Sequence, residues 1–320
     1  MTSEAEVGKK WEISRYSIDD KDEWDSCVMN STKKHFMFFR NYMDYHSDRF
    51  RDASFICRRK GKAVAAIPGT ILKDGVWASH AGLTFGGILS DGSFGISETL
   101  ALFNLLNEEL KKLGACRVRY KPVPWIYSLK PSEEDLYVLF RLNAKLVARQ
   151  ISSAFVPGMQ KMEERRIRCA KKAANQGVQI VESKDFNAFW VMLAECLASR
   201  HLVTPVHSAA ELKLLADRFP QNIRLFVSMM MGKMVAGTLL FITDKVVHTQ
   251  YLATSLDGRD CGALDLLISK LLREPWMANK FVDFGVSCEQ GGLILNEGLV
   301  AQKEGFGGRG VAYDVYEYDL

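Results

Sequence analysis

Apolar and polar residues alternate over 54–67, Ser-Phe-Ile-Cys-Arg-Arg-Lys-Gly-Lys-Ala-Val-Ala-Ala-Ile, which predicts two strands joined across a Lys-Gly-Lys turn. A further strand is expected over 76–80, followed by a glycine-rich segment over 81–87. Next, Leu100, Phe103, Leu106 and Leu110 recur at helical spacing, so a helix over 97–113 is predicted, with Gly114 where a C-cap belongs. Residues 116–120 complete the series as a strand that Pro122 and Pro124 stop. Ahead of it lie a strand over 11–16, a short helix carrying Trp24, Val28 and Met29 behind an Asp19 or Asp20 cap, and an aromatic cluster (Phe36, Phe38, Phe39, Tyr42, Tyr45) whose bulk suits a core.

The second half runs through the same order. Residues 224–238 form another alternating hairpin across a Gly-Lys turn, followed by a β-branched strand over 246–255, a glycine-bearing loop over 256–263, a helix marked by Leu264, Leu267, Ile268 and Leu271, and a strand over 280–285. Setting Gly232 against Gly61, an offset of 171, also pairs Lys233 with Lys62, Val235 with Val64, Ala236 with Ala65 and Val247 with Val76, and it places Tyr251 opposite His80. Asp91-Gly92 then answers Asp257-Gly258 at an offset of 166. The shared order predicts two copies of one α/β (α+β) unit, divided as 1–150 and 151–320, each with a mixed, mostly antiparallel sheet flanked by helices. Between them come a basic helix over 162–177, a strand over 178–181, a helix over 186–198, and a helix over 208–219 whose Ser208-Ala-Ala-Glu211 start fits a capping box.

Composition narrows the class. The chain has 320 residues, 48% hydrophobic and 25% charged, which is ordinary for a globular protein of about two domains. A net charge of +4 is too mild to imply nucleic-acid binding without a local basic patch. The seven cysteines are scattered and lack C-x-x-C spacing, so reduced thiols in a cytoplasmic protein are expected, and no metal. Residues 1–10 carry no apolar signal region, and no apolar run reaches spanning length.

The order of elements resembles the GNAT N-acyltransferase fold, and its duplication is similar to the FemAB-like branch. Three closing segments carry the resemblance: Tyr251-Leu-Ala-Thr-Ser255, Val282-Asp-Phe-Gly285, and Gly298-Leu-Val-Ala-Gln-Lys-Glu-Gly-Phe-Gly307. The Arg165-Arg-Ile-Arg-Cys-Ala-Lys-Lys-Ala-Ala-Asn-Gln-Gly-Val178 stretch is similar to the Arg-rich helix that opens the family's second domain. The resemblance implies transfer of an acyl or aminoacyl group from acyl-CoA, or from a charged tRNA, to an amine on a small molecule or cell-envelope precursor. GNAT enzymes grip the pyrophosphate of coenzyme A with an Arg/Gln-x-x-Gly-x-Gly/Ala turn; here Arg259 and Gly262 are kept, Ala263 comes one position early, and Leu264 stands where the small residue belongs.

Transfer to an amine requires a deprotonated nucleophile, a destination for its proton, and stabilisation of the oxyanion. The resemblance implies that a lysine in the last closing segment faces the reacting carbonyl, which makes Lys303 the candidate for oxyanion stabilisation; a solvated surface lysine is the alternative. His80, at a strand end beside glycines, Glu289, past a strand end, and His207, at a helix entry, are the candidate bases, each also readable as a structural residue. Asp283 alternates with Val282 and Phe284, so it faces away from them, either to solvent or into the cleft. Gly258, Arg259, Gly262 and Ala263 mark the expected donor site, because amides at a helix start lack intrahelical partners and attract anions. His207, Tyr251 and Arg165 are candidate substrate contacts; Lys161, Arg165, Arg168 and Lys172 fall on one helical face, which suits either solvent or phosphates. Two functions stay open: an acyltransferase working in a cleft between the copies, and a non-enzymatic module binding a nucleotide, tRNA or protein.

Overall fold

The computed structural model of the chain describes residues 11–201 and 206–320. The N-terminal decapeptide and the stretch 202–205, including Pro205, lie outside the described residues. The chain divides into two units: Met1–Gln150 with Cys288–Ile294 and Ala312–Leu320, and Ile151–Ser287 with Leu295–Val311. Among the described residues no helix is long and apolar enough to cross a membrane.

The first unit contains β1 (Trp11–Arg15), α1 (Lys21–Asn30), α2 (Arg40–Met43), β2 (Phe55–Arg59), β3 (Lys62–Ile67), β4 (Thr70–Ile71), β5 (Val76–Ala78), β6 (Leu89–Ser90), α3 (Ile96–Lys112), β7 (Arg117–Tyr120) and α4 (Glu134–Arg141). Strands β1, β2, β3 and β6 form an antiparallel sheet in that order, while β5 lies between β4, to which it is antiparallel, and β7, to which it is parallel. Helix α3 turns Leu102, Phe103, Leu106 and Leu110 onto a core containing Phe55, Trp77 and Tyr120. Phe103, Leu106 and Leu110 are positions its periodicity predicts; the fourth, Leu100, is half-buried against the same core, and Leu102 is buried beside them.

The second unit starts within β8 (Lys145–Phe155) and continues through α5 (Glu164–Asn175), β9 (Gln179–Ser183), α6 (Phe186–His201), α7 (Ala209–Arg218), β10 (Ile223–Met230), β11 (Lys233–Ile242), β12 (Val246–Thr254), α8 (Leu256–Cys261), α9 (Ala263–Leu271) and β13 (Phe281–Val286). Short strands β14 (Cys288–Glu289) and β15 (Ile294–Leu295) precede α10 (Glu297–Gly305) and β16 (Arg309–Asp319). The order β8-β13-β12-β11-β10-β9 is antiparallel throughout except at β12 and β13, which run parallel. Helix α7 begins as its sequence predicts: Ser208 Oγ accepts from the Glu211 amide and Glu211 accepts from the Ser208 amide at 2.8 Å. Lys161 lies ahead of α5, so only Arg165, Arg168 and Lys172 of the expected basic face are helical.

The internal geometry of each unit shows the repeat. Both hairpins turn through two consecutive left-handed residues, Lys60 (φ 52°) and Gly61 (φ 75°) in one, Met231 (φ 50°) and Gly232 (φ 77°) in the other, as a type I′ connection requires. Each carries a β-bulge at the same point, between Cys57 and Arg58 and between Ser228 and Met229. All these pairs stand at the offset of 171. Farther on the register drifts: parallel pairing sets Trp77 against Val118 and Val247 against Val282, so Trp77 rather than Val76 occupies the position of Val247.

Candidate active site

In the second unit, parallel pairing between β12 and β13 lasts for three rungs and ends at His248 opposite Asp283. Two irregularities part the strands there. Leu239 pairs with Tyr251 and Leu240 with Thr249, which leaves Gln250 as the extra residue of a bulge in β12. In β13 the register against β8 shifts between Asp283 and Val286, across Gly285 at φ 74°. A cavity of about 220 Å³ occupies the resulting notch. Its walls come from β12 (249–254), Phe284, Leu264, the α6 residues Leu193, Cys196 and Leu197, and the α10 residues Leu299, Gln302 and Lys303.

Helix α10 delivers Lys303 to this cavity. Asn296 caps it, accepting from the Leu299 amide at 3.0 Å, and Gly308 closes against the Lys303 carbonyl where a Cβ would come within 2.9 Å. Lys303 is 4% exposed, and its Nζ donates to the carbonyls of Gly285 at 2.7 Å and Val286 at 2.9 Å. A buried ammonium is thereby fixed beside the notch by backbone dipoles. Tyr251 lines the same cavity, and its hydroxyl lies 2.7 Å from His207 Nδ1. Trp190 Nε1 holds the His207 carbonyl at 2.9 Å, and burial pushes the Tyr251 phenol pKa up. Lys303, Tyr251 and His207 therefore belong to one constellation.

The other expected site residues are not among those lining this cavity. His80 lies in the first unit, 3% exposed and stacked on His46 at 5.4 Å; burial, with smaller contributions from the charges of His46, Lys121 and Arg40, pulls its pKa to about 3. Among the described residues its Nδ1 has no hydrogen-bond partner. Here the chain leaves β5 after the Ser79 amide bonds the Arg119 carbonyl and returns at Gly86, whose amide donates to Lys121 O at 2.8 Å. The place of the second unit's notch is thus filled by the glycine-rich segment itself. Glu289 is exposed on β14, also in the first unit. Arg165 is exposed on α5, whereas its neighbour Arg166 pairs with Asp265 at 3.0 Å and lies over the Phe306 ring.

The segment expected to open as an anion cradle is a packed joint. Residues 256–261 are helical rather than a loop, with Ser255 Oγ accepting from the Gly258 amide at 3.1 Å. A Cβ on Gly258 would lie 2.0 Å from Val235 O, and one on Gly262 would lie 2.5 Å from the Cys169 carbonyl of α5. The Gly262 amide already donates to Gly258 and Arg259 carbonyls, and Ala263 is fully buried with its carbonyl accepting from Ser228 Oγ at 3.0 Å. Glycine and alanine at these positions serve close packing, which also explains their spacing in the sequence. Arg259 alone of the four remains exposed, 3.9 Å from Cys196 Sγ.

No protein-family model matches the sequence, and no curated protein does. Solved structures do. FemX superposes with a TM-score of 0.69 at 12% identity, covering 97% of each chain. A tandem GNAT protein from the clavulanic acid biosynthesis pathway covers 97% of this chain and 98% of its own, with a TM-score of 0.54 at 11% identity. The chain has a tandem GNAT fold. The C-terminal domain of a putative lysylphosphatidylglycerol synthetase from Agrobacterium fabrum shares it, with a TM-score of 0.60 at 12% identity over 93% of this chain and 91% of that one. In this tandem GNAT fold the second unit carries an open notch between its parallel strands.

Nothing in the sequence pattern singles out His248 or its pairing with Asp283 beyond a polar residue at matching depth in two consecutive apolar strands. Asp283 is fully buried, faces away from Val282 and Phe284 as its alternation predicts, and its Oδ2 lies 3.0 Å from His248 Nδ1.

Proposed function

We propose that the chain is an acyltransferase that moves an acyl or aminoacyl group from an activated carrier onto an amine, with the reacting carbonyl in the notch between β12 and β13. The buried Lys303 ammonium beside a cavity of mixed apolar and uncharged polar lining carries this assignment. As the amine attacks, negative charge develops on the carbonyl oxygen, and a fixed cation in a poorly solvated site stabilises it without reorganising. The Tyr251 hydroxyl, held by His207, is a second polar group on that wall.

The packed joint at Gly258, Gly262 and Ala263 argues against a pyrophosphate grip of the usual GNAT kind and favours a charged tRNA over acyl-CoA as donor. Exposed Arg165, Arg168 and Lys171 on α5 suit its phosphates. The acceptor is an amine of a small molecule or a cell-envelope precursor, and the protein works in the cytoplasm. The same joint also favours a second reading, in which the fold binds RNA without catalysis. A ligand selective for the native state raises the melting temperature, so melting with charged tRNA, uncharged tRNA, acetyl-CoA and long-chain acyl-CoA separates the cases. Stabilisation by charged tRNA with transfer to an amine supports the enzyme. RNA binding that ignores the aminoacyl group, with no transfer from any donor, supports the module.

A further inference from the structure

Acyl transfer to an amine needs somewhere for the amine's proton to go, and Lys303, a cation, does not provide it. From the second unit's geometry we infer that His248 is the catalytic base of this site and that Asp283 is its positioning residue. The inference rests on the transferase reading above.

His248 occupies the last rung before the strands part, and the next residue, Thr249, already lines the cavity. Pairing of His248 with Phe241 and of Tyr251 with Leu239, two residues apart on β11, puts both side chains on the same face of the sheet, because the bulge absorbs the extra residue between them. Tyr251 is a cavity wall, so His248 follows it along that face. The imidazole retains 17% exposure while the Asp283 side chain has none.

Asp283 is held by more than the histidine. Its Oδ1 accepts from Ser152 Oγ and from the Gly285 amide at 3.0 Å, and its Oδ2 faces the His248 ring. A carboxylate fixed in this way receives Nδ1–H and leaves the lone pair on Nε2, the tautomer that accepts a proton. Gly285 is what this pair and Lys303 have in common. A Cβ there would stand 3.1 Å from His248 Cε1 and 3.7 Å from Nε2, so the missing side chain leaves room along the ring's edge. The carbonyl of the same glycine accepts from Lys303 Nζ at 2.7 Å. One kinked residue thus brings the proton acceptor and the cation into a single neighbourhood.

In the step, the amine nitrogen bonds to the carbonyl carbon and passes its proton to His248 Nε2. The bond from that carbon to the carrier's ester oxygen then breaks, the oxygen leaves with the electron pair, and it takes the proton back from the imidazolium. Amide and free carrier hydroxyl are the products, and His248 ends as it began.

The test compares His248→Ala, His248→Gln and Asp283→Asn with the wild type in the transfer assay, with and without added imidazole. Expected are a fall in kcat of roughly 100- to 1000-fold for both His248 variants with donor KM within about twofold, and partial recovery of His248→Ala by imidazole. Asp283→Asn, which presents an amide N–H to Nδ1 and so selects the wrong tautomer, loses kcat and gains nothing from imidazole. A second measurement uses the wild type alone: diethyl pyrocarbonate, which acylates unprotonated imidazole, should modify His248, more slowly with charged tRNA bound. Near-normal turnover in His248→Ala, a loss that imidazole does not relieve, or a His248 inert to the reagent each overturns the base assignment while leaving the transferase intact. A wild type that transfers from no donor overturns the transferase itself, and this inference falls with it.

Discussion

Lys303 Nζ donates to the carbonyl of Gly285 at 2.7 Å, in the left-handed kink that parts β13 from its neighbour. The cation and the opening of the notch are therefore parts of one arrangement. Lys303→Ala removes the charge and leaves the half-buried Gly285 and Val286 carbonyls short of a donor. Turnover should fall about 100-fold with donor affinity little changed, and stability by about 1–3 kcal/mol. Steady-state kinetics beside a thermal melt separate the two effects, and unaltered turnover removes Lys303 from the site.

The duplicated plan makes a quantitative claim about Gly61 and Gly232. Both adopt a left-handed turn conformation, and a Cβ on either would meet open space, so alanine should cost the same about 1–2 kcal/mol at each through backbone strain alone. Equal losses in denaturant melts are expected. Gly258→Ala should cost considerably more, because its Cβ would drive into Val235 O.

Acid should weaken the first unit. His80 has its pKa pulled from 6.5 to about 3 by burial, and His46 is shifted in the same direction for the same reason. A depressed pKa favours the neutral ring in the folded state, so the stability is present above pH 6.5 and is lost as pH falls from there towards 3. His80 alone should cost about 2 kcal/mol at pH 5. Asparagine tolerates the φ of 65° at this position, so His80→Asn should flatten the loss between pH 7.5 and pH 5 in melts. A mutant as acid-sensitive as the wild type would contradict the assignment.

If α5 contacts tRNA phosphates, the double variant Arg165→Ala, Arg168→Ala should weaken binding and reduce the dependence of log affinity on log salt by roughly 1.4–1.8. Binding titrations at several salt concentrations read this directly. An unchanged slope places the RNA elsewhere.

What the sequence disclosed follows from the range of the interactions involved. The hairpin around Gly232 and the Ser208 capping box are written in neighbouring residues, so local chemistry was enough to read them. Strands β8 and β16 were not anticipated: each mixes polar and apolar residues over eleven positions and is half exposed, which weakens its alternation. The return of Ala312–Leu320 to the first unit depends on pairing such as Tyr316 with Tyr120, which no local pattern encodes. Residues 256–261 read as a loop because Gly258 and three acidic or basic neighbours are poor guides to a helix; the Ser255 cap and the close approach of Gly258 to β11 decide it. The oxyanion candidate Lys303 was legible from the resemblance, whereas the notch it lines depends on the bulge at Gln250 and the kink at Gly285. His248 was passed over because its partner lies 35 residues away.

The location of the reacting carbonyl is tested most directly by a crystal structure with a hydrolysis-resistant 3′-aminoacylamino-adenosine, which keeps the donor's carbonyl in place. The account predicts that carbonyl in the notch between Thr249 and Phe284, its oxygen facing Lys303. An analogue bound with its carbonyl outside the notch, or a notch still empty at saturating analogue, would contradict it.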